Sequence, residues 1–173
     1  RQRQMCIRDR AEPMVKKEEW KGIAVYVQMD GNRIHPVTLE LIGKAKELAS
    51  VIQAPVYCLL IGSRVKEKAE ELQYYGIERV FLYDHPGLAD FNIMTYANVF
   101  SDFIENVRPS SILVGATSEG RSLAPRVAAR FRTGLTADCT VLEMKDNSDL
   151  VQIRPAFGGN IMAPVSYTHL RAH

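Results

Sequence analysis

Long apolar runs are missing from this chain. The longest, such as Val56–Ile61, have the length of a strand and fall far short of the roughly 20 residues that a membrane-spanning helix needs. Charge of one sign is also missing. The formal net charge is +2 and no basic block exceeds a few residues, so nothing recommends nucleic acid as a partner. Cysteine is scarce: Cys6, Cys58 and Cys139 form no Cys-x-x-Cys pair and fit no zinc spacing, so no metal site is expected. They read as two small buried residues and one terminal one, in keeping with a reducing bacterial cytoplasm. No Gly-x-Ser-x-Gly elbow or His-Glu-x-x-His pair is present, and the four histidines are scattered through turns and the last residues. Asp138 and Glu143 lie five apart in a strand-like run, hence on opposite faces, and make no acid/base pair. No catalytic residue is therefore predicted.

What is there is a core-forming composition, 46% hydrophobic and 24% charged over 173 residues, enough for one domain. Internal repeats and low-complexity linkers are absent. The ends stand apart: Arg1–Arg10 has no helical or strand period, and Pro164–His173 has neither cap nor polar tail. Both resemble translated adaptor sequence, so residues 1–13 and 164–173 are expected to be non-native and dispensable, with the domain running from Met14 to Ala163. Arg1–Arg10 holds four Arg and one Asp and the tail holds Arg171, so the mild basicity is a property of the ends.

Between the ends, strand-like and helix-like segments alternate. Gly22–Met29 reads as a first, central strand. Asp30-Gly31-Asn32 makes a turn, and His35-Pro36 opens a helix to Ser50 with Leu39, Ile42, Leu48 and Ala49 inward. His35 is taken as a turn residue. Pro55–Ile61 is the second strand, and Ser63 is positioned to cap a helix over Arg64–Tyr75 that Gly76 stops. Arg79–Tyr83 is the third strand, followed by a turn through His85. A long helix capped by Asp90 or Asn92 runs to Val107, with Ile93, Tyr96, Ala97, Phe100, Ile104 and Val107 on its buried stripe. This alternation predicts a doubly wound α/β fold with a mostly parallel sheet, and 3-2-1-4-5 is the expected strand order. Lys145–Asp149 reverses the chain into Leu150–Arg154, an antiparallel extension at the sheet edge. Pro155–Asn160 is a Gly-rich bend before another extended run from Ile161.

Ser111–Thr140 organises the rest. Ile112-Leu113-Val114 is a buried strand cut off by Gly115, and Ser118 is placed to cap a helix over Arg121–Phe131 with Leu123, Val127, Ala128 and Phe131 on one face. With Ala137–Met144 as the next strand, the stretch reads as one βαβ unit. Its loop, Thr117-Ser118-Glu119-Gly120-Arg121, sits where α/β sheets hold ligands. Two readings stay open. Thr117, Ser118 and Arg121 at a helix start suit an anion such as the phosphate of AMP or ATP. Against this, the Gly-x-Gly-x-x-Gly and P-loop spacings are missing and Glu119 brings a negative charge, which leaves a capped helix whose Arg121 pairs with Glu119 or with a partner protein.

The run GATSEGRSLAPRVAARFRTGLTADCT, with the later RPAFGGNIMA, resembles the signature of the electron transfer flavoprotein alpha subunit, and GIAVYV and the element order agree. The resemblance covers Gly22–Ala163. It implies the amino-terminal, Rossmann-like (adenine nucleotide alpha hydrolase-like) domain of a heterodimer that carries electrons from acyl-CoA or NADH-linked dehydrogenases to later acceptors. It also implies FAD in the intact heterodimer, held mostly by a carboxyl-terminal domain outside this sequence, so no FAD ligand carries over to a residue here. Gly115–Arg121 and Thr133–Thr140 carry over as the signature that shapes contact with the beta subunit and the rest of the alpha chain. Arg121, Arg126 and Thr136 are the contact candidates on that basis. The arginines of the helix, Arg121, Arg126, Arg130 and Arg132, fit an exposed face beside such a contact or a merely solvated one. The alternative to the electron carrier is a free-standing AMP- or ATP-binding module.

Overall fold

A computed structural model describes residues 19–137, 139–147, 149–155 and 162–167 of the chain. Strand β1, Ile23–Val27, is buried at every position. A two-stranded hairpin, β2 (Met29–Asp30) and β3 (Arg33–Ile34), turns at Gly31, whose φ of +58° suits glycine. Helix α1 (Pro36–Ile52) starts with proline in its first turn and with His35 as its cap, the Nδ1 accepting from Val37 N–H at 3.2 Å. Then follow β4 (Val56–Gly62), α2 (Lys66–Gln73), β5 (Arg79–Asp84), a short 3₁₀ turn (Pro86–Leu88), α3 (Ile93–Val107) and β6 (Ser111–Leu113). Helix α4 spans Ser118–Phe131, and β7 (Val141–Met144), β8 (Leu150–Pro155) and β9 (Met162–Tyr167) complete the described elements.

The parallel sheet has the order β5-β4-β1-β6. The chain thus steps outward from β1 to β4 and β5, then returns through α3 to the other side of β1. β1 is flanked on both edges and covered on both faces, which is why its sequence is continuously apolar rather than alternating. Its side chains divide by pleat. Ile23, Val25 and Val27 join Ile42, Leu48 and Leu72 from α1 and α2, while Ala24 and Tyr26 join Phe100, Phe103, Ile104, Leu123 and Val127 from α3 and α4. The second layer is aromatic, with Tyr26 and Phe100 ring centroids 5.2 Å apart and Phe81 and Phe103 also 5.2 Å apart.

Several expectations need correction. The fifth strand does not join the parallel sheet: β7, β8 and β9 form a separate antiparallel sheet of order β7-β8-β9 that packs Leu142, Met144 and Leu150 into the α1 side of the core. The expected βαβ unit is therefore not formed among the described residues, whereas the antiparallel hairpin through Lys145–Asp149 is present as β7 and β8, in a sheet of its own and not on the edge of the main one. The cause is local. Lys145 N–H donates to the Asp149 carbonyl at 3.0 Å and closes a tight turn, so β7 meets its sequence neighbour before any crossover brings it to β6. Helix α2 starts at Lys66, not Arg64, and Ser63 does not cap it. Instead the carboxylate of Asp84, at the end of β5, accepts from Arg64 N–H (2.7 Å) and Val65 N–H (3.1 Å), and Arg64 takes a φ of +58° to present them. Asn92, not Asp90, caps α3, accepting from Met94 and Thr95 N–H. Phe103 joins the buried stripe of that helix.

The β8–β9 ladder runs through the boundary expected at Ala163, pairing Ile153 with Pro164 and Leu150 with Tyr167. Arg1–Arg10, Met14, Asp138, the bend residues 156–160, Ile161 and the residues after Tyr167 lie outside the described residues.

Candidate functional site

The loop from β6 into α4 stands at the carboxyl edge of the parallel sheet, at the point where the strand order reverses between β1 and β6. This is the usual ligand crevice of an open α/β sheet. Two glycines set its height. A Cβ on Gly120 would lie 1.9 Å from the Gly115 carbonyl oxygen, and one on Gly115 would lie 2.8 Å from Val37 Cγ1, so α4 and α1 close on the strand end with no room for a side chain.

Thr117, not Ser118, caps α4. Its Oγ1 accepts from Gly120 N–H at 3.2 Å and donates to Gln28 Oε1 at 2.6 Å. Gln28 ends the central strand's run and is 7% exposed. Its main chain is held as firmly as its side chain, with the N–H donating to Thr38 Oγ1 at 3.1 Å and the carbonyl accepting from His35 N–H at 2.9 Å. The end of β1 is thus tied to the β6–α4 loop and to the start of α1. Ser118 is exposed, and its carbonyl accepts from Ser122 Oγ. Sequence reasoning missed Gln28; the signal was a lone amide inside an otherwise apolar strand.

Glu119 enters the half-buried space beside the crevice. Burial raises its carboxyl above the ordinary value, opposed by the neighbouring His35, and its charge in turn helps raise the buried Tyr26 and Tyr96 hydroxyls. A carboxylate at this helix start works against a phosphate there.

Of the predicted site residues, the structure brings Arg121 and Thr136 together, both lining one cavity of about 510 Å³ against β6. Thr117, Ser118 and Arg126 do not line it. Thr136 Oγ1 is buried with no hydrogen-bond partner among the described residues, and Cys139 donates to the Thr136 carbonyl at 3.4 Å. Arg126 on α4 and Arg132, the residue that caps its C-terminus, are exposed, but Arg130 does not belong to a free arginine face. Its Nη1 donates to the Ala97 carbonyl, Asn98 Oδ1 and Ser101 Oγ, at 3.2, 2.9 and 2.8 Å, which ties α4 to α3. His85 serves its turn, accepting from Gly87 N–H at 3.0 Å. Burial pushes the Cys58 thiol up to about 12. Among the described residues no His, Cys, Asp and Glu cluster could hold a metal, and no helix is long and apolar enough to cross a membrane.

Residues 23–172 match the family model described as the electron transfer flavoprotein domain. The chain is 67% identical over 151 residues to the lactate dehydrogenase (NAD(+),ferredoxin) subunit LctC of Acetobacterium woodii, a match covering 87% of this chain and 36% of that protein. It is 45% identical over 148 residues to the electron transfer flavoprotein subunit alpha of Megasphaera elsdenii (85% and 44%) and 38% identical over 149 residues to protein FixB of Clostridium saccharobutylicum (86% and 44%). The chain spans less than half the length of these curated relatives.

Proposed function

The chain belongs to the electron transfer flavoprotein family, and from that premise we propose that it is the scaffold and subunit-contact domain of a heterodimeric, FAD-containing electron carrier. One observation carries this reading: the Thr117 hydroxyl is spent between Gln28 and the α4 amide, so the hydroxyl at this helix start is taken up by the protein's own hydrogen bonds and not held out to a phosphate. In this reading the domain, over residues 14–163, holds the remainder of the complex in place while FAD is bound elsewhere. Flavin supplies its own redox chemistry, and a domain without catalytic side chains suits a positioning role. The partner is an electron transfer flavoprotein beta subunit, met by Arg121, Arg126 and the segment at Thr136. Donors are dehydrogenases. The cytoplasm is the compartment this role implies.

Two titrations of the purified 173-residue chain test the reading. With FAD, the chain alone should stay colourless after gel filtration, and a stoichiometric yellow flavin on it overturns the scaffold role. With ATP, calorimetry should find binding no tighter than millimolar; micromolar binding abolished by Arg121→Ala would establish the nucleotide module instead. For the partner contact, the double change Arg121→Glu and Arg126→Glu should weaken association with an electron transfer flavoprotein beta subunit by about tenfold or more, roughly the loss of one or two well-placed charge pairs.

A further inference from the structure

Glu119 is the second residue of α4 and is half-buried, yet among the described residues it makes no hydrogen bond and no ion pair. Carboxylates drawn out of water normally have one or the other. Tyr26 is in the same position. It is 2% exposed, and among the described residues its hydroxyl has no hydrogen-bond partner. The fold brings the two groups to one place. Tyr26 lies on the face of β1 that meets α3 and α4, with its ring against Phe100 of α3. One helical turn nearer the start of α3 is Tyr96, and Tyr96 and Glu119 are the two groups whose charge bears on the Tyr26 hydroxyl. The hydroxyl therefore points to the carboxyl edge of the sheet, where α3 and α4 both begin. Tyr96 is already engaged, donating to the Leu88 carbonyl at 3.0 Å. His35 at the start of α1 also bears on Glu119, and Asp90 on Tyr96.

We propose that Glu119 and Tyr26 form a binding site for a primary ammonium group, carried by a small amine or by a lysine side chain of another protein. What the pair lacks is a cation with N–H groups to donate: an ionised carboxylate only accepts, and the phenol oxygen has lone pairs to spare. Around them are aromatic rings, Tyr26 against Phe100 and Phe91 edge-on to Tyr96, and acceptors beside rings recognise cations. In the bound state the ammonium donates to a Glu119 oxygen and to Tyr26 Oη, and its alkyl stem runs out past Tyr96. With Tyr26 only 2% exposed the opening is narrow, which suits a compact ammonium over the planar fork of a guanidinium. Glu119 itself turns phosphate away, and Thr117 and Gln28 stay out of the site because they bond each other. Burial holds the Glu119 carboxyl above its ordinary value, and a cation beside it draws that value down, so binding tightens as pH rises through the carboxyl's titration.

Carbon-13 NMR of the Glu119 side-chain carboxyl tests this in the 173-residue chain labelled at glutamate, with Glu119→Gln identifying the signal. At about pH 8, butylammonium chloride should move that signal along a saturable curve with half-saturation in the millimolar range. Tetramethylammonium chloride has no N–H to donate, and at equal ionic strength it should need about tenfold more. Saturation with butylammonium should also lower the pH midpoint of the carboxyl. Tyr26→Phe keeps the ring and should weaken butylammonium by about threefold or more, whereas Tyr96→Phe should change it by less than about twofold because that hydroxyl is spent on Leu88. Equal responses to the two ammonium salts overturn the proposal, since they mean screening alone, and that comparison needs no variant. Unchanged butylammonium affinity in Tyr26→Phe overturns it too. So does a carboxyl midpoint that rises in Tyr26→Phe with no amine present, the mark of two groups that satisfy each other. The peptide acetyl-Gly-Lys-Gly-amide separates the sources: tighter binding than butylammonium assigns the site to a protein's lysine, and equal or weaker binding assigns it to a free amine.

Discussion

Thr117 spends its hydroxyl twice, as acceptor for the first turn of α4 and as donor to the buried Gln28. Thr117→Val keeps the shape and loses both bonds, so urea unfolding should show a loss of about 2–3 kcal/mol, the sum of a missing cap and an unsatisfied buried amide oxygen. Thr117→Ser should recover most of it. Gly120→Ala should cost more, about 3 kcal/mol or above, because the obstacle at 1.9 Å is backbone and cannot rotate away. Glu119 gives a pH signature. Its carboxyl is raised in the folded state, so its ionisation opposes folding: the stability it allows is full below the unfolded-state value, near 4.5, and falls as pH rises through the raised folded value. Glu119→Gln should therefore raise Tm at pH 7, with the advantage closing as pH falls through the carboxylate range. A constant difference across pH would mean the effect is packing alone.

At the scale of elements, the legible features were those whose cause is local. The continuous apolar run of β1, the Pro36 start of α1 and the stripe along α3 announce themselves because burial and capping act within a few residues. What was not legible has a distant cause. Helix α2 begins two residues later than Ser63 suggests because its cap is Asp84, 20 residues from Arg64. Thr117 wins the cap of α4 over Ser118 because Gln28, 89 residues away, holds its hydroxyl in place. The parallel order was readable as far as the fourth strand, and the fifth left the sheet because a turn at Lys145–Asp149 offered β7 a nearer partner. Asp84→Ala should accordingly cost about 1–2 kcal/mol and raise amide exchange at the start of α2, with Asp84→Asn retaining part of the cap.

For the whole molecule, two sheets share one core unequally. The parallel sheet is covered on both faces, whereas β7–β9 meets the core through Leu142, Met144 and Leu150 on one side. Native-state hydrogen exchange should find β7–β9 opening at a lower free energy than β1 and β4, and in that open state Cys58 should stay unalkylated while Cys139 reacts. Cys58 is fully buried on β4 with its thiol pushed up to about 12, so reagents reach it only on global unfolding.

The return of β6 to the side of β1 sets a timetable as well as a topology. Gln28 and Thr117, the two ends of the bond that closes the sheet's reversal, are 89 residues apart. At roughly 5–20 residues per second, ribosomal synthesis takes about 4–18 s to deliver the second after the first. For the later part of that interval β1, buried at every position in the finished domain, has β4 on one side and no strand on the other, so it stays open to a wrong neighbour until β6 has been made.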